Sequence, residues 1–309
     1  MKKRFFRIVI FISIIVTADV VIGEICKELY LNSNNLAIAK IRYTFDSSNQ
    51  DILIYGSSRA EHHYVPDILT QQTGMSCYNC GIGGQGLAFS FIQIEEMLKR
   101  QKPKLIILDI SPNILTDSKS DEKLNVLKPY FYRDTIIQHA LTGVSEFEKL
   151  KYFSTVYPYN GSIISILTSF IYFKKDMYKG YLPLDGKLIP SSVKILNVVT
   201  QLKVPDRQIY YLNRIIKICK STNVELKLVV SPIYLKNNTD DYILEQIRRI
   251  AASNKVDFID FSTDAKFFKD APFFKDNLHL NSEGATEFSN KLAAEIGQVI
   301  SSGNTMARL

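Results

Sequence analysis

The run Ile52-Leu53-Ile54-Tyr55 is apolar without alternation and stops abruptly at Gly56-Ser57-Ser58. A strand of that kind is covered on both faces, the condition of a parallel strand inside an α/β sheet. This constrains the fold strongly, because parallel strands need crossover helices and right-handed connections. The crossovers are present. Leu87 to Lys99 places Leu87, Phe91, Ile92, Met97 and Leu98 at helical spacing, and Pro103 then leads into the apolar run Leu105 to Ile110. Asp206 to Lys220 presents Ile209, Leu212, Ile215, Ile216 and Cys219 on one face, followed by a strand Val224 to Val230, a helix Tyr242 to Ser253 and a strand Val256 to Phe261. The pattern predicts a three-layer α/β/α, doubly wound domain with a mainly parallel, five-stranded sheet.

Ligands of such sheets bind at the carboxyl ends of the strands, so Ser57 or Ser58 is expected in the crevice after Gly56 turns the chain. A serine hydroxyl becomes a useful nucleophile only beside a base that a carboxylate orients. Of the four histidines, His62, His63, His139 and His279, only His279 has an acid three residues before it, Asp276, and it stands just ahead of a C-terminal helical run from Thr286 to Ile300. Asp109, near the end of the third strand, is expected to cap the following turn. Ser231-Pro232 ends the fourth strand at the ligand edge.

These blocks together resemble the SGNH (GDSL-like) hydrolase family, over roughly Asp51 to Asn113 and Val224 to Ile300. The resemblance implies Ser58 as nucleophile within Gly56-Ser57-Ser58, and Asp276 with His279 as the other members of a triad. Asn79-Cys80-Gly81-Ile82-Gly83-Gly84 is similar to the family's second block, implying the Gly84 amide as an oxyanion donor beside the Ser58 amide. The third block departs from the family pattern: Ser111-Pro112-Asn113 follows the strand with no glycine, and Asn113 carries the nearby side-chain amide for the oxyanion. A flavodoxin-like strand order is likewise implied. No metal or organic cofactor is required by this chemistry.

Met1-Lys2-Lys3-Arg4 and Arg7 make a cationic start before an apolar run from Ile8 to Ala18 that resumes after Asp19. Phe5 to Ile22 is about long enough for a bilayer core of ~30 Å. With no convincing small-x-small cleavage site, an uncleaved anchor (1–23) is preferred to a cleaved signal. The positive-inside rule then sends the remainder out of the cytoplasm, to the periplasmic side in a bacterium. Residues 24–50 read as a linker helix, 51–300 as the catalytic domain and 301–309 as a tail. The net charge of +7 is dispersed beyond the N-terminus and Arg248-Arg249, and nothing points to nucleic acid. The four cysteines make no disulfide framework in 309 residues; Cys77-x-x-Cys80 has no second pair to complete a zinc site and reads as small buried thiols.

From about 116 to 205 the strand–helix rhythm breaks into an insertion rich in Tyr and Phe, including Tyr130, Phe131, Tyr152, Phe153, Tyr159, Tyr172 and Phe173. Most of these are expected to form the insertion's own core, with a lid or substrate wall as the other use. The function implied is serine esterase action on acyl groups, O-acetyl above all, of cell-envelope carbohydrate. O-acyl transfer to the same polymers, lipid ester hydrolysis, and silent carbohydrate binding on the same fold are the alternatives.

Overall fold

The computed structural model describes residues 2–116, 120–143, 147–171, 178–190 and 203–306. They fall into two compact units, Tyr43–Ser120 with Asp176–Leu309, and Met1–Arg42 with Asp121–Lys175. The helices α1 (Lys2–Leu31) and α2 (Leu36–Asp46) precede the sheet. Residues 191–202 of the expected insertion, Tyr172 and Phe173, and residues 307–309 of the expected tail lie outside the described residues.

The larger unit is built on β1 (Ile52–Tyr55), β2 (Cys77–Asn79), β3 (Leu105–Asp109), β4 (Glu225–Val230) and β5 (Asp257–Asp260). All neighbours are parallel, in the order β2-β1-β3-β4-β5, with Ile52 opposite both Cys77 and Leu105. This is the flavodoxin-like order, and the chain leaves β1 for β2 on one side before returning to β3 on the other. That switch opens a crevice at the carboxyl ends of β1 and β3. Every residue of β1 and β3 is buried, which explains their unbroken apolar reading. Between the first strands lie α3 (Ser58–His63), α4 (Pro66–Thr73) and α5 (Leu87–Leu98), and α6 (Pro112–Thr116) follows β3.

In chain order, α7 (Thr135–Thr142), α8 (Phe147–Lys151) and α9 (Ile163–Ser169) belong to the other unit. The larger unit resumes with α10 (Asp206–Thr222), α11 (Asn238–Ser253) and α12 (Ser282–Met306). On one sheet face Ile52, Ile54, Leu105, Ile107 and Val229 pack with Ala285, Phe288, Leu292 and Ile296 of α12, and α4 lies against α12. Strand alternation turns Leu53, Tyr55, Ile106 and Leu108 to the opposite face, where α5 and α10 pack together. Helix boundaries follow local chemistry. Pro66 opens α4 as its first residue, where a missing N–H costs nothing. Asn237 and Asp240 form a reciprocal capping box that starts α11 four residues earlier than its apolar periodicity suggests. Asn223 closes α10 in the left-handed conformation.

In the smaller unit α1 runs unbroken through residue 24 to Leu31, so the expected anchor and the start of the expected linker are one helix. Only Gly23, Cys26 and Tyr30 of α1 are buried. The Tyr30 ring meets Tyr130 and Tyr159, each with centroids 5.9 Å away, and Phe131 stacks on Tyr152 at 3.5 Å. Tyr130, Phe131, Tyr152 and Tyr159 are buried, so these aromatics serve as the unit's own core.

Candidate active site

Gly56 ends β1 with a φ of +144°, a conformation that side-chain-bearing residues rarely adopt, and turns the chain into α3. Ser57 stands at the N-cap position, buried and with no side-chain capping bond, and Ser58 is the first helical residue. The first N–H groups of a helix lack intrahelical acceptors, so the Ser58 amide is one of the natural donors at this edge. Far along the chain, Asp276-Asn277-Leu278-His279 forms a tight turn in which one Asp276 oxygen accepts the Leu278 N–H (2.8 Å) and the His279 N–H (2.9 Å).

The two segments meet. His279 Nε2 lies 2.8 Å from Ser58 Oγ, and His279 Nδ1 lies 3.0 Å from both Asp276 carboxylate oxygens. With the Nδ1–H donating to the carboxylate, Nε2 presents a lone pair to the Ser58 hydroxyl, the arrangement that lets an imidazole take a serine proton. Partial burial raises the Asp276 carboxyl pKa, yet the hydrogen bonds from the His279 ring and from the Leu278 and His279 amides outweigh it and hold the group below its ordinary value. The His279 side chain is 19% exposed and that of Asp276 47%. The site is therefore open to solvent on the carboxylate side.

Gly84 is exposed in the turn after β2, with a φ of +78° and no atom within 4 Å of where a Cβ would stand. Its neighbour Gly83 comes closer to the nucleophile: a Cβ there would lie 3.7 Å from the Ser58 Cβ, and the Gly83 N–H donates to Glu61 Oε2 (3.1 Å). Asn113 is exposed on α6, and no hydrogen bond from its side chain to Ser58 or His279 occurs among the described contacts. Asn79 has a structural task in its block: its side chain donates to the Ala60 and Tyr64 carbonyls and accepts the Gly81 N–H, binding α3 to the glycine turn.

Behind the open face lies a buried polar layer that the sequence did not announce. Arg59, next to the nucleophile, sends one guanidinium nitrogen to the Ser231 carbonyl, to Ser231 Oγ (2.8 Å) and to the Pro232 carbonyl (3.1 Å), and another towards the Leu278 carbonyl at 3.4 Å. It therefore ties the end of β4 to the loop that carries His279. Asp109 does not cap the turn after β3; it faces Arg59 Nε at 4.0 Å and accepts the Tyr64 hydroxyl at 2.6 Å. Burial raises its carboxyl pKa, with Arg59 and Tyr64 pulling the other way. His63 is fully buried, bonded through Nδ1 to Ser231 Oγ (2.9 Å) and accepting the Leu280 N–H at Nε2 (3.0 Å). Burial, then Arg59 and the neighbouring histidines, hold it well below the usual imidazole range, so it is neutral. His62 donates from Nδ1 to the Leu182 carbonyl (2.7 Å), its ring 5.5 Å from that of His279. The signal for this layer was the density of ionisable residues in Arg59-Ala60-Glu61-His62-His63, in a helix that has to pack against a sheet.

Cys77 and Cys80 are buried and not joined by a disulfide; burial, then Cys80, pushes the Cys77 thiol well up. Among the described residues no cluster of three or more His, Cys, Asp or Glu could hold a metal ion.

Residues 7–157 match the model of a family described as Protein of unknown function (DUF1574), a stretch that includes Ser58 and ends before Asp276 and His279. No curated protein matches the sequence. Among solved structures the chain is similar to a protein described as lipolytic, of the G-D-S-L family, from Desulfitobacterium hafniense DCB-2, at 12% identity over 80% of this chain and 99% of that one with a TM-score of 0.44. It is also similar to the acetyl xylan esterase AlAXEase (14% identity, 79% and 99% covered, TM-score 0.43) and to a GDSL-like lipase from Bacteroides thetaiotaomicron VPI-5482 (12% identity, 82% and 88% covered, TM-score 0.41). By its own strand order β2-β1-β3-β4-β5, with serine, histidine and aspartate gathered at the carboxyl edge, the chain has an SGNH-like fold.

Proposed function

We propose that this chain is a serine esterase of SGNH type that removes small acyl groups, O-acetyl in the first place, from cell-envelope carbohydrate outside the cytoplasm. The observation that carries the reading is the continuous hydrogen-bonded chain from Ser58 Oγ through His279 to Asp276. In the reaction Ser58 Oγ attacks the ester carbonyl as its proton passes to His279 Nε2, and Asp276 stabilises the imidazolium. Collapse of the tetrahedral intermediate expels the alcohol, which takes that proton. Water, deprotonated by the same imidazole, then releases the acid and restores Ser58. The Ser58 and Gly84 amides and the Asn113 side chain are the donors proposed for the oxyanion, each worth about 3 kcal/mol in the transition state when well aimed.

The half-exposed Asp276 and the exposed Gly83, Gly84 and Asn113 favour a small acyl group on a bulky polar carrier, since a long acyl chain requires an apolar sleeve. Retention of α1 as an anchor is favoured by its packing. Asp19 accepts hydrogen bonds from Ser154 and Thr155, Gly23 lies against Thr155, and Tyr30 is in the aromatic core, so the end of α1 is part of its unit. The cationic first turn favours a cytoplasmic N-terminus with the remainder outside.

The test is turnover of acetyl and long-chain aryl esters by the full-length protein and by Ser58→Ala and His279→Ala. Each substitution is expected to lower kcat by about 10⁴-fold or more with the fold retained by circular dichroism. Acetyl esters are expected to exceed long-chain ones, and a fluorophosphonate to label Ser58. Undiminished turnover in both variants overturns the triad, and rates that climb with chain length overturn the choice of acyl group.

A further inference from the structure

The smaller unit carries a second feature with its own chemistry. Phe147, Leu150 and Phe153 are exposed to solvent, Phe153 being 83% and Phe147 76% exposed. They belong to α8 and the turn after it. The same turn provides Ser154 and Thr155, which hold Asp19: Ser154 Oγ donates to one carboxylate oxygen (2.5 Å), the Thr155 N–H to the other (2.7 Å), and Thr155 Oγ1 to the Asp19 carbonyl (2.7 Å). Residues 154 and 155 therefore stand at the level of Asp19 along α1.

That level can be placed. Exposed apolar side chains run along α1 from Phe5 to Ile25, with Val20, Val21 and Ile22 among them, and Glu24, Lys27 and Glu28 mark the polar end. Phe5 to Ile25 spans about 31 Å at a rise of ~1.5 Å per residue, the thickness of a bilayer's hydrocarbon core. Asp19 then lies about 9 Å inside the boundary set by Ile25. A lone carboxylate at that depth is costly, and Ser154 with Thr155 supply the donors it requires. The segment that supplies them shares the depth. Its polar groups are those of an interfacial element: Lys151 pairs with Glu148, and Glu148 accepts the Tyr157 hydroxyl.

We propose that residues 147–155 form a second, non-spanning membrane contact, with Phe147, Leu150 and Phe153 embedded at the headgroup–acyl boundary of the leaflet from which α1 emerges. This rests on the reading of α1 as a retained anchor. The occupant is lipid because the segment that bears the patch is hydrogen-bonded through Ser154 and Thr155 to Asp19, inside the run of exposed apolar side chains of α1. A foot of this kind would restrain rotation and tilt of the unit about its single span.

The chain contains no tryptophan, so Phe153→Trp introduces a single fluorophore at a position that tolerates an aromatic ring. Full-length protein is reconstituted in phosphatidylcholine vesicles with and without brominated acyl chains, alongside Val21→Trp on α1 and Tyr210→Trp at an exposed position of α10. The Phe153→Trp emission is expected to be blue-shifted, quenched by brominated lipid and protected from iodide, as for Val21→Trp, whereas Tyr210→Trp is quenched by iodide alone. Iodide quenching at residue 153 with lipid quenching retained at residue 21 overturns the foot and leaves the anchor standing. Shielding of residue 153 from both quenchers also overturns it, since a second copy of the chain then covers the patch. Iodide quenching at residue 21 overturns the anchor and the foot together.

Discussion

His63 Nε2 accepts the Leu280 N–H, and that bond fixes the peptide immediately after His279. The acceptor role requires a neutral ring, and burial beside Arg59, His62 and His279 keeps it so. The folded-state pKa is thus below the unfolded value of about 6.5. As pH falls below that value the unfolded chain takes up a proton that the folded chain refuses, so stability is full above it and declines towards acid by at most about 1.4 kcal/mol per pH unit from this group. His63→Gln retains an acceptor near Nε2 and removes the titration. Urea unfolding between about pH 5 and about pH 8 is expected to show a shallower acid decline for the variant than for the parent; parallel curves would mean that His63 does not titrate on unfolding. At this scale the sequence singled out His279 and Asp276 by their spacing and a serine at 57 or 58 by its place after the strand, with Ser58 chosen by the family resemblance. The crowding of ionisable residues around Arg59 and the place of Ser231 at the ligand edge were legible, but their pairing was not, because it depends on the end of β4 and the His279 loop lying side by side.

The element that makes the site is α3, six residues long and held close to the sheet. Two glycines give it room. A Cβ on Gly56 would stand 2.9 Å from the Ala60 Cβ and 3.0 Å from the Asp109 Cβ, and one on Gly81 would stand 2.8 Å from the Glu61 amide nitrogen. Gly56→Ala therefore combines a strained φ with a clash that only displacement of α3 relieves. A loss of about 1–3 kcal/mol in unfolding free energy is expected, together with lower esterase turnover as Ser58 moves from His279. Gly161→Ala, with open space around the site and no positive φ, is the control expected to leave both unchanged. Equal denaturation midpoints for the two variants would refute the crowding argument. The Gly56 turn was legible because an apolar strand ended there; the role of Gly81 was not, because it depends on α3 lying against the turn after β2.

At the scale of the whole molecule the chain visits its smaller unit twice, first with residues up to Arg42 and again from Asp121 to Lys175. The second visit supplies the partners of Asp19 and Tyr30 on α1. Removal of the apolar run by a signal peptidase would strip that unit of a packed helix. The protein extracted from membranes in detergent is accordingly expected to have the intact mass of the full chain, 35.3 kDa. A shorter chain beginning after the apolar run would mean that the segment is a signal rather than an anchor.

The sequence by itself determined the parallel α/β sheet, the serine at the end of its first strand, the Asp-x-x-His pair before its last helix and the apolar N-terminal helix. Each is written in short-range terms, as burial on both faces, as helical spacing or as one residue's need for another a few positions away. Tertiary structure alone decided how the Ser58 hydroxyl meets His279, that Asp109 turns inward to Arg59 and Tyr64, that Gly83 gives its amide to Glu61, and that Asp19 finds its donors on residues 154 and 155. Those pairings join residues from separate segments of the chain, and their geometry is set by how strands, turns and helices stack, which no local pattern of side chains encodes.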